Sequence, residues 1–423
     1  MNRRASRRGW RGRPARIWSP SLAQRIAPLP TLVVLVFGYL LSQFYRSFLA
    51  VIAPELALDV GLDGRGLGLV SAAFFGAFAA VQLPVGVALD RFGARRTVAL
   101  PMLSAVVGAV LFSQAHAPAT SIAAMVLIGL GCSPIYMGAL WVIGRTTSPA
   151  RFALWSSAIV GVGSLGNLAG STPLAAAAAA WGWRATMLGI AGATLLSALA
   201  VAVVVRDPPP LATRGDADAP TGIGAVLAIR ELWPLFPIAL LSYPIVLAVR
   251  GLWIGPYFAQ VHGLAPVERG TAVSVMVVAM IAGAFAYGPL DRWFGTRKWV
   301  VVGGTLATIA GLAALALAPR MPVVAASLAF GVVGGFGLTY GVLMAHARAF
   351  LPPALLGRGL TLMNMALVGG AALIQPASGL FVDRLTAGGL SIAEAHGALY
   401  GAFALALGAA LAVYLGSRDA RPG

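Results

Sequence analysis

The sequence predicts an all-α integral membrane protein, with twelve transmembrane helices arranged as two pseudo-symmetric six-helix bundles. Three observations carry this prediction. The chain is too apolar to cover itself with a water-compatible surface, its apolar residues fall in runs long enough to cross a bilayer, and a short charged segment returns at the matching place half a chain later.

Of 423 residues 59% are hydrophobic and only 10% charged, with a mean hydropathy of +0.86. A soluble domain carries roughly 25% charged residues, so a bilayer is the expected solvent. The formal charge of +17 would suggest nucleic acid in a soluble protein. Here it follows from basic residues collecting at one end of membrane spans, and no nucleic-acid partner is expected. The single cysteine, Cys132, rules out an internal disulfide and a Cys-based zinc site.

A span needs roughly 20 mostly apolar residues. That ruler places spans at about 30–53, 66–89, 97–115, 121–144, 153–177, 185–205, 232–258, 271–290, 299–318, 322–346, 360–382 and 395–416. Residues 1–29 form a basic tail, 30–205 and 232–416 the two bundles, 206–231 a polar linker and 417–423 a short C-terminal tail. The linker holds Pro208-Pro209-Pro210, Asp216 and Asp218 and is the longest polar stretch between spans. If the N-terminus is cytoplasmic, the tail, the even-numbered loops and the C-terminus take 23 of the 30 basic residues and the opposite face takes five. Both termini are therefore expected in the cytoplasm of a multi-pass plasma-membrane (inner-membrane) protein. The apolar run after the tail is too long for a signal-peptide core.

Two basic residues remain, Arg46 in span 1 and Arg250 in span 7, and these spans are equivalent under the duplication. An arginine in mid-membrane costs at least about 2.5–3.5 kcal/mol on insertion scales, so two at matching sites need a reason. The bland one is that each snorkels to the outer headgroups, about 12 Å away along the helix. Their neighbours suggest another. Tyr39, Gln43 and Arg46 share one helical face, and Tyr243, Arg250, Trp253 and Tyr257 form a similar stripe. Tyr287 in span 8 and Asn364 in span 11 are isolated polar groups in apolar runs. Such residues on spans flanking a repeat interface would line a cavity at mid-depth. All 13 carboxylates fall in loops or at span ends. The cavity should be electropositive, and a guanidinium holds carboxylate or phosphate through two parallel hydrogen bonds. A small organic anion is the expected substrate.

A rival ligand set comes from Met276 and Met280, four apart on span 8, with His346 near the end of span 10. Thioether and imidazole suit copper(I), although such methionine pairs commonly serve helix packing. Copper uptake is the alternative reading, and a drug or metabolite efflux carrier a further one. No catalytic constellation and no P-loop is present, so neither an enzyme nor a cofactor is expected.

The repeated segment runs Gly86-Val87-Ala88-Leu89-Asp90-Arg91-Phe92-Gly93-Ala94-Arg95-Arg96. It resembles the loop 2–3 signature of the major facilitator superfamily, and the resemblance extends over essentially the whole chain after the tail. It implies transport by alternating access, normally as a monomer, with Gly86, Asp90, Arg91, Gly93 and Arg95 in gating rather than substrate contact. The second copy, whose Asp291 and Arg292 are expected in gating as well, departs from the signature by one residue inserted before Gly295. Within the superfamily, an arginine in span 1 and another in span 7 is similar to the organic-phosphate/phosphate antiporters; oxalate/formate-type carriers also rely on buried basic residues. Resemblance to drug antiporters is weak, since Gly166-Asn167-Leu168-Ala169-Gly170 lacks their Gly-Pro step.

Overall fold

The computed structural model describes residues 29–146, 155, 159, 161–207, 223–352 and 355–420, and among these the chain is helix and loop with no strand. Ten helices are long and apolar enough to cross a membrane, and a bent pair, Leu29–Tyr45 and Leu49–Val60, adds the first span. One of the ten, Gly161–Val204, runs for 44 residues, about 66 Å at 1.5 Å per residue and twice the hydrocarbon thickness. Its chain turns at Gly182, where φ is +79°, a value open to glycine and costly for other residues. Division there gives spans 5 and 6, and so the twelve crossings that the hydropathy predicts. Most of the expected linker, 208–222, lies outside the described residues.

An even number of crossings brings Leu29 and Leu415 to one end of the bundle, the termini end. Spans 1–6 and 7–12 form the two halves. They meet where span 2 packs on span 11, span 5 on span 8, and span 1 on span 7.

Backbone chemistry explains how closely they meet. Pro54 has no N–H to give the carbonyl four residues back, which leaves the Ala50 oxygen unclaimed within its own helix. Gly255 of span 7 packs directly over that oxygen, and a Cβ at Gly255 would overlap it. Gly68 packs on the Gln375 carbonyl and Gly379 on that of Gly64, each too closely to admit a Cβ. Small residues at a helix crossing are what permit backbones to touch in a bilayer.

Polar contacts between the halves reinforce this far end, opposite the termini. Asp383 of span 11 accepts the N–H groups of Gly64 and Arg65 at 2.9 and 2.6 Å, capping span 2 from the other half. Arg269 of span 8 donates to the Glu55 carboxylate at 2.6 Å and to the Val51 carbonyl at 2.8 Å. Ser274 meets Ser171 and Thr172, both at 2.8 Å. The contact of span 2 with span 11 is made through Gly64–Ala80, and its continuation beyond Val81 contributes little. This conformer is sealed at the far end.

Candidate functional site

Midway through the bundle the sequence's two unplaced arginines come within electrostatic range of one another. Arg46 sits in the turn between Tyr45 and Leu49 where span 1 bends by 49°. Its guanidinium lies over the Phe78 ring of span 2, 4.6 Å from the centroid, a cation–π contact that holds the charge without neutralising it. Arg250 sits in Val249–Trp253, which winds as a π-helix ahead of Pro256. Its guanidinium donates to the Asn167 side-chain oxygen of span 5, across the two halves. The Nε donor of each arginine is buried without a hydrogen-bond partner among the described residues, as is the Gln43 carbonyl oxygen.

Four tyrosines surround the pair. Tyr39 stacks on Tyr136 at 4.9 Å, and Tyr243 on Tyr340 at 6.0 Å. Tyr340 donates to the Asn364 side-chain oxygen at 2.9 Å. The rings of both pairs, together with the arginines, fall within mutual electrostatic range. Tyr39 and Tyr243, Arg46 and Arg250, and Tyr136 and Tyr340 are each separated by 204 positions. Reading helical stripes misses Tyr136 and Tyr340, because spans 4 and 10 carry no polar stripe around them. Laying the two halves over one another at this offset would have found both. Asn167 is visible in the sequence as a polar residue in span 5, but nothing there shows that it faces Arg250.

The structure gathers Tyr39, Gln43, Arg46, Tyr243, Arg250 and Asn364 at this depth and places three other expected residues elsewhere. Trp253 turns into the second half, where its indole N–H donates to Ser378 at 2.8 Å. Tyr257 is fully buried against Phe258, Phe330 and Tyr400, with its hydroxyl on the Pro319 carbonyl at 2.9 Å. Tyr287 donates to the Phe336 carbonyl at 2.7 Å. The copper alternative is not assembled either. Met276 and Met280 pack against Gly334, while His346 is held at the termini end between the Tyr414 hydroxyl at 2.7 Å and the Arg418 carbonyl at 2.8 Å. No described acid joins this cluster of arginines and tyrosines, which would line the central chamber of a carrier.

The expected gating loop forms its contacts within one half. Gly93 takes φ +79° and packs against the Asp207 carboxylate, which accepts the Arg95 N–H at 2.9 Å. Asp207 lies just after span 6, so it caps span 3 and ties the loop to its own bundle. The second half repeats the device: Gly295 has φ +63°, and Asp419, just after span 12, accepts the Lys298 N–H at 3.0 Å and the Thr296 hydroxyl at 2.6 Å. Burial pushes the Asp419 carboxyl up, but hydrogen bonds from Thr296 and from the Lys298 and Arg297 N–H groups outweigh it and hold the group below its ordinary range. Asp291 pairs with Arg297 at 3.4 Å. Gly86 is half-buried in span 2, and Arg91 lies over Phe92 at 5.2 Å. The side chains of Asp90 and Arg292 lie outside what is described.

Comparison with known proteins agrees with this architecture. The family model described as Major Facilitator Superfamily matches residues 35–373. Among solved structures, the nucleoside transporter NupG superposes with a TM-score of 0.74 at 14% identity, covering 91% of this chain and 99% of that one. A bacterial homolog to the human lysosomal transporter Spinster, in an inward-facing and unoccupied conformation, superposes with a TM-score of 0.71 at 17% identity, covering 92% and 97%. The xylose transporter XylE from E. coli, in an inward open conformation, gives 0.70 at 15%, covering 92% and 96%. At these identities the likeness is one of fold. The probable galactarate/D-glucarate transporter GudP of Escherichia coli (strain K12) is 45% identical over 51 residues, a match spanning 12% of this chain and 11% of that relative.

Proposed function

The chain belongs to the major facilitator superfamily, and from that premise we propose that it carries a small organic anion, a carboxylate or phosphate, by alternating access. It is a membrane transporter and not an enzyme. The observation that carries the substrate class is the arginine pair: two fixed cations from equivalent positions of the two halves, each with a buried donor that has no partner among the described residues, and no described acid at their depth. A charge held in a low-dielectric interior is costly unless paired. Among the described residues Arg46 meets an aromatic face and Arg250 a neutral amide, and neither meets an acid. An anionic substrate supplies both missing counter-ions. The short match to a relative named for two sugar diacids supports a carboxylate.

In this scheme substrate enters from the termini end while the far-end contacts hold. Its anionic groups engage Arg46 and Arg250 and draw Arg250 off Asn167. The released cross-half bond and the neutralised pair let the halves rock, so that the far end opens. The basic bias of the loops sets the termini end toward the cytoplasm of the plasma membrane. With no carboxylate available as a proton site in the chamber, exchange of anions is the coupling this site supports.

Uptake of radiolabelled carboxylates and phosphate esters into proteoliposomes, with the unaltered protein and with Arg46→Ala and Arg250→Ala, tests the reading. Each substitution should abolish or severely weaken anion uptake, because removing one partner of a buried charged pair costs about 2–5 kcal/mol. Unchanged anion transport in both variants would refute it.

A further inference from the structure

A chamber made by duplication presents the same groups twice. One half offers Tyr39, Arg46 and Tyr136, and the other Tyr243, Arg250 and Tyr340, all at one constant offset. In each half the span-1-type tyrosine stacks on the span-4-type tyrosine, beside an arginine whose Nε donor is unused. These are two equivalent half-sites within electrostatic range of one another.

Resting on the organic-anion reading above, we infer that the carrier selects linear dianions with an anionic group at each end, one end held by each half, and that Tyr136 and Tyr340 determine specificity at the two ends. Three features support this. The arginines are pinned in different walls, Arg46 over Phe78 of span 2 and Arg250 toward Asn167 of span 5. Their mutual repulsion is relieved only by half when a monoanion binds, since one guanidinium stays unpaired in a medium of low dielectric. A dianion leaves neither unpaired. Finally, the chamber's other polar lining is neutral: tyrosine hydroxyls, the Gln43 carbonyl and the Asn364 amide. Such groups exchange hydrogen bonds with hydroxyls or water along a polar chain and add no third charge.

The same geometry makes the ligand a strap. A molecule gripped at both ends by opposite halves favours conformers in which the half-sites are close, whereas a monoanion engages one half and exerts no pull on the other.

Titration calorimetry of the purified full-length protein against matched acids tests the inference: succinate with butyrate, adipate with hexanoate, galactarate with galactonate, and inorganic phosphate. At the best chain length the diacid should bind about tenfold or more tighter than its monoacid, the difference one charge-assisted anchor makes. Arg46→Gln and Arg250→Gln should each erase that difference, lowering diacid affinity more than monoacid affinity. Deleting a carboxylate and deleting an arginine remove the same interaction, so the two losses should not add. Tyr136→Phe and Tyr340→Phe, which keep the rings, should narrow the diacid preference. Equal affinity for diacid and monoacid, or tightest binding by phosphate, would overturn the inference and leave the organic-anion reading standing. Binding of none of these anions would overturn both. The comparison of ligands on the unaltered protein decides the matter even if an arginine variant fails to fold.

Discussion

The Arg269 guanidinium of span 8 donates to the Glu55 carboxylate of span 1 at 2.6 Å, joining the two halves at the far end. Arg269 is 3% exposed, and its second bond, to the Val51 carbonyl, fixes it to the same helix. Around this pair the halves also meet through the Asp383 carboxylate on the Gly64 and Arg65 N–H groups, through Ser274 with Ser171 and Thr172, and through backbone against glycine. Among the described residues it is the ion pair that joins the halves at the sealed end.

Arg269→Ala should therefore shift the conformer balance toward opening at the far end. A charged hydrogen bond contributes about 1.5–3 kcal/mol, so a roughly tenfold change in the population ratio is expected. Spin labels at the exposed positions Leu58 and Val267, in a Cys132→Ser background, would report a new longer distance by double electron–electron resonance. An unchanged distance distribution in the variant would remove the gating role of this pair.

Asn167 makes a second and more selective test. It holds Arg250 without neutralising it, and a carboxylate in its place would supply the counter-ion that the substrate is proposed to provide. Asn167→Asp should weaken anion binding by about tenfold or more, whereas Asn167→Ala should change it by less than about threefold. Equal effects of the two substitutions would mean that Asn167 acts through packing alone.

Much of the fold was legible because hydropathy and duplication are properties of the chain itself. The twelve runs and the equivalence of Arg46 with Arg250 needed no coordinates. Faces of helices were less legible, and span 7 shows why. A stripe read down a regular helix from Tyr243 through Arg250 continues to Trp253 and Tyr257, but Val249–Trp253 is a π-turn. An extra residue in the turn rotates everything beyond it by about 100°, and Trp253 and Tyr257 accordingly point into the second half rather than the chamber. Cross-half partners such as Asn167 and Arg250 were not legible, because nothing local to either residue encodes the other.

The glycine turn before span 3 gives a prediction about rate rather than affinity. Gly93 combines a positive φ with contact to the Asp207 carboxylate, so Gly93→Ala introduces both backbone strain and a clash. The loop lies far from the chamber, and its tie to span 6 stays within one half. Gly93→Ala should slow exchange several-fold with substrate affinity within about twofold, as expected for a conformational step. Comparing the turnover and half-saturation of counterflow measures both. A parallel loss of affinity would place the loop's influence in the chamber instead.

Asp419 links the second half's clamp to pH. Its carboxyl is held below the ordinary carboxylate range by the bonds it accepts from Thr296, Lys298 and Arg297, so the folded group stays ionised at a pH where the unfolded one takes up a proton. Its stabilising contribution is full above the ordinary carboxylate pKa and is lost as pH falls through the depressed one. Thermal melting should therefore show Asp419→Asn less stable than the unaltered protein near neutrality by a few degrees, with the gap closing on acidification. A gap constant with pH would assign the effect to something other than the charge.

Energy coupling remains, and the chamber's charges bear on it. Proton-coupled carriers need a group that takes up and releases a proton at substrate depth, usually a carboxylate whose protonation burial favours. All 13 acids of the chain fall in loops or at span ends, and His346 is committed at the termini end to Tyr414 and the Arg418 carbonyl. In the proposed scheme the unloaded site carries two cations with no acid partner among the described residues, and this makes its unloaded transition through the bilayer's low dielectric the costly one. A loaded chamber carries paired charge and crosses at lower cost. That asymmetry favours obligatory exchange, in which the halves rock readily only when an anion is bound on each stroke. Proteoliposomes preloaded with substrate should show rapid uptake of labelled substrate, at least about tenfold faster than empty ones, with little response to an imposed pH gradient. If a pH gradient alone drives concentrative uptake into vesicles that contain no counter-substrate, exchange is wrong and a proton site lies among residues assigned no such role here.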